Sequence, residues 1–410
     1  MFALVMSLTN TVDLVNPALS GHHAQVAFIA GNLAEEMGMD ASAVKQLVLA
    51  GALHDIGATS LPDRTNFLEF ELNAPHRHAF MGSRLLDGFQ PTAELSNLIR
   101  YHHVEWNQGK GAFFKDNPVP AGSHILHLAD RVAVQIDKKQ PVLGQVENIL
   151  KRINQFSGSK FNPEMVEALF HLSKKESFWL DLVSSKIPQQ MESKFQFDTL
   201  NIDAGETLGL AEIFRKIIDY RSSFTANHSA GVAATSTALA KLAHFSEHEC
   251  RMMYIAGLLH DLGKLAVPTE ILEKEGKLTA DDFAIMRSHT YHTYRALEPI
   301  KPLKTVNEWA SFHHERLDGN GYPFHITGPQ LSLGSRIMAV ADVSTALLED
   351  RPYRAGMAQD EATRILERMS KDAIDGDIVN ILKANFEEVN SQRIIAQTES
   401  GKEYRKYISF

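Results

Sequence analysis

Apolar residues recur at three- and four-residue spacing through Val26–Met37, Val44–Leu53, Arg215–Tyr220, Val232–Ala243 and Cys250–Leu259. That period predicts helices, each with one buried face. Alternation of the strand type is scarce. Prolines and glycines punctuate the intervals, as at Pro62, Pro75, Gly88 and Pro91, where turns are expected. The stretch from Lys186 to Gly205 is polar, contains Pro188 and keeps no sustained period, although Phe195 and Phe197 suggest that part of it packs. The expected fold is all-α, with two helical bundles in tandem: residues 1–190, a linker at 191–206, and residues 207–410.

Against this helical background one polar pattern appears twice. Ala50-Gly51-Ala52-Leu53-His54-Asp55-Ile56-Gly57 matches Ala256-Gly257-Leu258-Leu259-His260-Asp261-Leu262-Gly263. His22 precedes His54, and His228 precedes His260, by the same 32 residues. His78 lies 23 residues after Asp55 and His289 lies 28 after Asp261, a mismatch that a loop absorbs cheaply. His102 follows His78 and His313 follows His289 by 24 residues, and each is followed by a second histidine, His103 and His314. Asp130 and Asp342 close the two series within Leu-Ala-Asp and Val-Ala-Asp strings. One His-Asp pair means little, and a lone core histidine is usually a satisfied hydrogen-bonding residue, the reading we give His244, His248, His292 and His325. The ordered recurrence of the whole set argues for an internal repeat.

Composition narrows the chemistry. The chain has 410 residues, 44% of them apolar, enough for two ordinary cores. The net charge of −9 disfavours long nucleic acid as a partner. The single cysteine, Cys250, excludes an intramolecular disulfide and a cysteine-based zinc site and suits a reducing compartment. Residues 1–10 lack a basic start and a cleavage-like end, and no apolar run approaches ~18 residues. The expectation is a cytoplasmic protein without a membrane span.

Histidine and aspartate without cysteine suit iron, manganese or a similar divalent ion better than structural zinc. Neighbouring residues on a helix turn diverge by ~100°, so the histidine of a His-Asp pair can take one metal while the carboxylate bridges to a second. Two such ions ~3.5–4 Å apart activate water and clamp a phosphoryl oxygen. The second half carries further features that suit a phosphate. Lys264 follows the pair, Asp318-Gly319-Asn320-Gly321-Tyr322-Pro323 forms a turn-rich loop after His313-His314, and Arg351-Pro352-Tyr353-Arg354 supplies two guanidinium groups.

Together, His260-Asp261-Leu262-Gly263-Lys264, His313-His314-Glu315, the Gly-Tyr-Pro loop, Val340-Ala341-Asp342 and Arg351-Pro352-Tyr353-Arg354 resemble the HD-GYP phosphodiesterases across roughly residues 205–390. The resemblance implies HD-type bundles and hydrolysis of a cyclic dinucleotide at a two- or three-iron site. By position it implies His228, His260, Asp261, His289, His313, His314 and Asp342 as metal ligands. Asp261 would bridge the ions together with the water or hydroxide that attacks. Lys264 would meet the substrate phosphate, and Arg316, Tyr322, Arg351 and Arg354 would bind substrate. Three-metal members have a Glu four residues before the first histidine; here Phe224 and, in the first half, Ala18 stand there, so two ions are expected. Thr345 replaces a second Asp that many members have after Val-Ala-Asp. The first half resembles a degenerate copy. Ala58 replaces the lysine, residues 104–110 replace the Gly-Tyr-Pro loop, and nothing near Asp137 resembles Arg-Pro-Tyr-Arg.

The expected protein is therefore a phosphodiesterase that opens 3′3′-cGAMP or cyclic di-GMP to a linear dinucleotide. Its cofactors would be two divalent ions, iron first and manganese second, and its first half would modulate activity. A homodimer stays open. Two alternatives stand beside this: an HD-type nucleotide phosphohydrolase acting on monoesters, and a non-catalytic cyclic dinucleotide sensor.

Overall fold

Helices make up most of the described chain, as the apolar period requires. A computed structural model describes residues 2–13, 21–58, 76–87, 93–197, 204–220, 227–274, 276–350 and 355–409. The chain divides into two units, Met1–Asp203 and Ala204–Phe410.

The first unit contains α1 (Phe2–Asp13), α2 (His22–Glu36), α3 (Ala41–Leu53), α4 (His76–Leu86), α5 (Ala93–Arg100), α6 (Ala121–Ala133), α7 (Val146–Gln155), α8 (Pro163–Ser173), α9 (Glu176–Leu182) and α10 (Ile187–Phe195). Its sheet among the described residues is a two-stranded antiparallel hairpin, Phe113–Phe114 against Asn117–Pro118. The central pair is α2 and α3, with Val26, Ile29, Leu33 and Val48 fully buried between them and their neighbours. Asp40 caps α3 by accepting a hydrogen bond from the Ala43 amide at 2.9 Å.

The second unit contains α11 (Ala204–Asp219), α12 (His228–Leu242), α13 (Glu247–Leu259), α14 (Thr269–Leu272), α15 (Ala280–Leu297), α16 (Lys304–Ser311), α17 (Leu333–Leu348), α18 (Gln359–Met369), α19 (Gly376–Ala384) and α20 (Phe386–Ile408). Val232, Leu239, Leu258, Ile337 and Val340 form its fully buried core. Reciprocal capping boxes start the helices that lead to the site, Ser246 with Glu249 before α13 and Thr279 with Asp282 before α15. Such caps satisfy amides that a helix start otherwise leaves open.

The two units deliver their His and Asp residues from matching places. His22 and His228 open α2 and α12, and His54 and His260 terminate α3 and α13. His78 and His289 lie within α4 and α15, and Asp130 and Asp342 within α6 and α17. The glycine two residues after each His-Asp pair is a packing requirement. A Cβ on Gly263 would stand 1.9 Å from the His289 carbonyl oxygen, and one on Gly57 2.2 Å from that of His78.

One boundary differs from the sequence expectation. Residues 191–197, expected within the linker, belong to the first unit. Ile187, Met191 and Phe195 form a buried stripe along α10, and Phe197 stacks on Phe2 at 4.3 Å. Pro188 sits in the first turn, where proline is tolerated, and three apolar positions are too short a run to show a period. Among the described residues no helix is long and apolar enough to cross a membrane.

Candidate metal centre

Three imidazoles of the second unit reach the centre from a constrained backbone position. The Nδ1 atoms of His260, His289 and His313 lie 2.8, 2.6 and 2.6 Å from the carbonyl oxygens of Gly257, Met286 and Ala310, each three residues earlier. Donation from Nδ1 leaves the Nε2 lone pairs turned inward. Thr293 ties the elements together. Its hydroxyl donates to the His260 carbonyl at 3.0 Å and accepts from the Gly263 amide at 2.9 Å.

Around these rings the seven expected ligands converge. Asp261 Oδ2 lies 3.2 Å from His260 Nε2 and 3.9 Å from His228 Nε2, while its Oδ1 lies 3.5 Å from His289 Nε2. Asp342 Oδ1 lies 3.2 Å from His228 and 3.9 Å from His260, and its Oδ2 faces His314 Nδ1 at 3.8 Å. Two donor groups result, His228–His260–Asp261 and His289–His313–His314, each with donor atoms within 4.8 Å of one another. The two oxygens of Asp261 point one toward each group.

The protein environment suits cations. His260 Nε2 is buried without a hydrogen-bond partner, a state that a bound ion would relieve. Burial alone would raise Asp261, but His260 and Lys264 hold its carboxyl well below the usual carboxylate range. Burial also disfavours charge on His289, pushing it down to about 3, and lowers His313 and His314. Their lone pairs are thus available at neutral pH. His228 is different: burial opposes its charge, yet Glu349 and Asp342 outweigh that and hold it up at about 10.

The expected substrate residues divide. Lys264 Nζ lies 2.5 Å from Asp261 Oδ2, beside the carboxylate that faces both donor groups rather than out in solvent. Tyr322 packs against the His314 ring at 5.0 Å. Arg316 forks onto Asp318 at 3.1 and 2.7 Å and reaches Asp372 at 3.4 Å, which commits it to its own loop. Arg351, Arg354 and Phe224 lie outside the described residues, as does Ala18.

Two sets of helices that present His and Asp in one order, each with an inward cluster, decide the family. The HD domain family matches residues 212–378 and, separately, residues 19–135. The chain is a tandem HD-domain protein. It is 29% identical over 391 residues to 3′3′-cGAMP-specific phosphodiesterase 1 of Vibrio cholerae serotype O1, across 93% of this chain and 90% of that one. It is 34% identical over 280 residues to 3′3′-cGAMP-specific phosphodiesterase 3 of the same organism, across 68% of this chain and 60% of that one. The crystal structure of cyclic GMP-AMP specific phosphodiesterases in V. cholerae (V-cGAP3) aligns with a TM-score of 0.65 and 24% identity, covering 94% of this chain and 97% of that chain. That structure shares the all-α fold.

The tandem HD-domain protein also places at its second centre residues that the sequence did not single out. Glu349 is buried, and both its oxygens lie 3.1 Å from His228 Nδ1. A carboxylate behind a histidine orients the ring and makes it a stronger donor to metal. Gln397 holds Glu349 in turn, donating at 3.0 Å. Glu315, named in the sequence only as part of the His313-His314-Glu315 string, pins the Gly-Tyr-Pro loop, accepting from the Phe324 amide at 2.7 Å and the Ile326 amide at 3.0 Å. Arg287 lies over the Tyr322 ring at 4.8 Å, with Phe283 at the ring edge, 48% exposed. The only signal for Glu349 was its place seven residues after Asp342; Arg287 and Phe283 had none, since lone helical Arg and Phe residues are common.

Proposed function

We propose that the second HD unit hydrolyses a cyclic dinucleotide, 3′3′-cGAMP before cyclic di-GMP, to a linear dinucleotide. The observation that carries this is the placement of Asp261, one oxygen toward His228 and His260 and the other toward His289. His228, His260 and Asp342 would hold one ion, His289, His313 and His314 the other, and Asp261 would span both. An all-imidazole and carboxylate set favours iron(II), with manganese(II) next. A bound pair of ions supplies positive charge for the phosphoryl oxygens and acidifies water, which slow phosphodiester hydrolysis requires.

The chain's own residues do the rest. Lys264 brings a cation to the edge of the bridging carboxylate, where it offsets charge that develops on the phosphoryl group. Tyr322 and Phe283 offer faces for the bases, and Arg287 a cation beside them. Water adds to phosphorus and one ester oxygen leaves with a proton, so a single cut opens the ring. The 3′3′-cGAMP preference is supported by the relatives, which match this chain over most of its length and act on that nucleotide. The first unit, with Ala58 in place of the lysine and without the Gly-Tyr-Pro loop, modulates this activity rather than sharing it.

The test is purified full-length protein with its ions quantified, incubated with 3′3′-cGAMP, cyclic di-GMP, linear dinucleotide and mononucleotides, products resolved over time. A linear dinucleotide should accumulate, faster from 3′3′-cGAMP, and Asp261→Asn should abolish it. Faster cleavage of monoesters would favour a nucleotide phosphohydrolase. Binding without turnover by metal-loaded protein would make the unit a sensor.

A further inference from the structure

We infer that Arg215 and Gln397 are positioning residues for the second centre: from α11 and α20 they close a buried polar ring around the start of α12 and so set how firmly His228 is presented to metal. This deepens the reading proposed above and rests on it.

The ring runs along both flanks of His228. On one flank, both Glu349 oxygens lie 3.1 Å from His228 Nδ1, and Gln397 Nε2 donates to Glu349 Oε2 at 3.0 Å. On the other, the hydroxyl of the next residue, Ser229, donates to Asp219 Oδ1 at 2.6 Å, and Arg215 Nη1 lies 3.4 Å from Asp219 Oδ2. Arg215 closes the circuit. Its Nη1 also donates to Ser400 Oγ at 2.7 Å and its Nη2 to Glu403 at 2.9 Å, both on α20. Ser400 follows Gln397 by three residues, so one face of α20 carries both contacts. Arg215, Asp219, His228, Ser229, Glu349 and Ser400 are all buried.

Two features aim the ring at His228. Arg393, buried on α20, donates to Gln397 Oε1. That fixes which end of the amide faces which way and leaves Nε2 for Glu349. Gln397 also crosses α12 at Gly231, one turn after His228, where a Cβ would stand 2.7 Å from Gln397 Nε2.

The first unit supplies an internal comparison. Asp13 precedes His23 by ten residues, as Asp219 precedes Ser229, and pairs with it. There the likeness stops. Thr9 stands in place of Arg215 and bonds carbonyls of its own helix. Asp137, seven residues after Asp130 as Glu349 is after Asp342, is exposed and accepts from Lys139 and Gln140 in its own turn. Gln25 stands in place of Gly231. The complete ring thus belongs to the unit that also has Lys264 and the Gly-Tyr-Pro loop. A carboxylate held from behind keeps the imidazole it faces in one orientation, and such outer contacts tune metal affinity. Here that control extends to the first and last helices of the second unit.

The test withdraws manganese(II) from full-length protein with a chelator and takes as second-centre metal the part that Asp261→Asn abolishes. Gln397→Leu and Arg215→Met should each weaken that part about 3–10-fold, below the ~10–100-fold of a residue that touches the ligand. Ser400→Ala removes one contact and no charge, so it keeps the test readable if Arg215→Met does not fold; it should act in the same direction. A double-mutant cycle separates positioning from bracing: beside Glu349→Gln, Gln397→Leu should cost no further affinity. A lowered melting temperature with wild-type affinity in both Gln397→Leu and Ser400→Ala would overturn the inference. So would a loss from Gln397→Leu that is undiminished beside Glu349→Gln. Wild-type protein holding no more metal than Asp261→Asn would instead overturn the reading of the centre itself, and the inference with it.

Discussion

At the scale of single residues, the proposed second centre would depend on atoms outside its donor set. Glu349 sets the orientation and basicity of His228, so Glu349→Gln should weaken metal binding about 10–100-fold, measured by competition with a chelator. Arg287, over Tyr322, faces the base side of the site. Arg287→Met should raise KM several-fold while metal content and kcat stay close to wild type, as steady-state kinetics with ion counting would show. The clustered His and Asp residues were legible in the sequence because seven residues recur in one order, and chance does not repeat order with spacing. Glu349 and Arg287 were not, because each works through a neighbour that only the fold supplies. Arg316 illustrates the converse: its sequence neighbour Asp318 was in plain view, and the pair closes on itself at 2.7 Å.

At the scale of elements, the centre is a matter of how closely helices approach. The turn after α13 meets α15 with room only for a hydrogen at Gly263, because the His289 carbonyl oxygen would lie 1.9 Å from a methyl carbon. Gly263→Ala should destabilise the protein by about 1–3 kcal/mol and reduce bound metal by moving His289, measured by denaturant unfolding and ion counting together. Helices with long apolar periods, α2, α3, α12 and α13, follow directly from the sequence pattern. The start of α10 does not, since Pro188 reads as a break unless it occupies a first turn. Its three buried residues, Ile187, Met191 and Phe195, lie one turn apart and leave no longer trace.

At the scale of the whole molecule, the duplication places similar cages in two units with unequal surroundings. A protein comprising residues 204–410 should keep the ions of its own centre and lose part of its turnover if the first unit modulates it. Ion counting and a rate assay on this fragment test that, and an unchanged rate would confine the first unit to another role. The proposed division of labour rests on few positions. Lys264 against Ala58, and Val343 against Arg131, change the charge available to a phosphate while the His and Asp framework persists. The latches from the rings of His260, His289 and His313 to a carbonyl three residues earlier have a further consequence. Helix geometry, not contact with other side chains, sets the direction of these three rings. A donor set of imidazole and carboxylate ranks first-row metals by their common order of affinity, so the ion such a site would take in a living cell depends on which metal that cell keeps free.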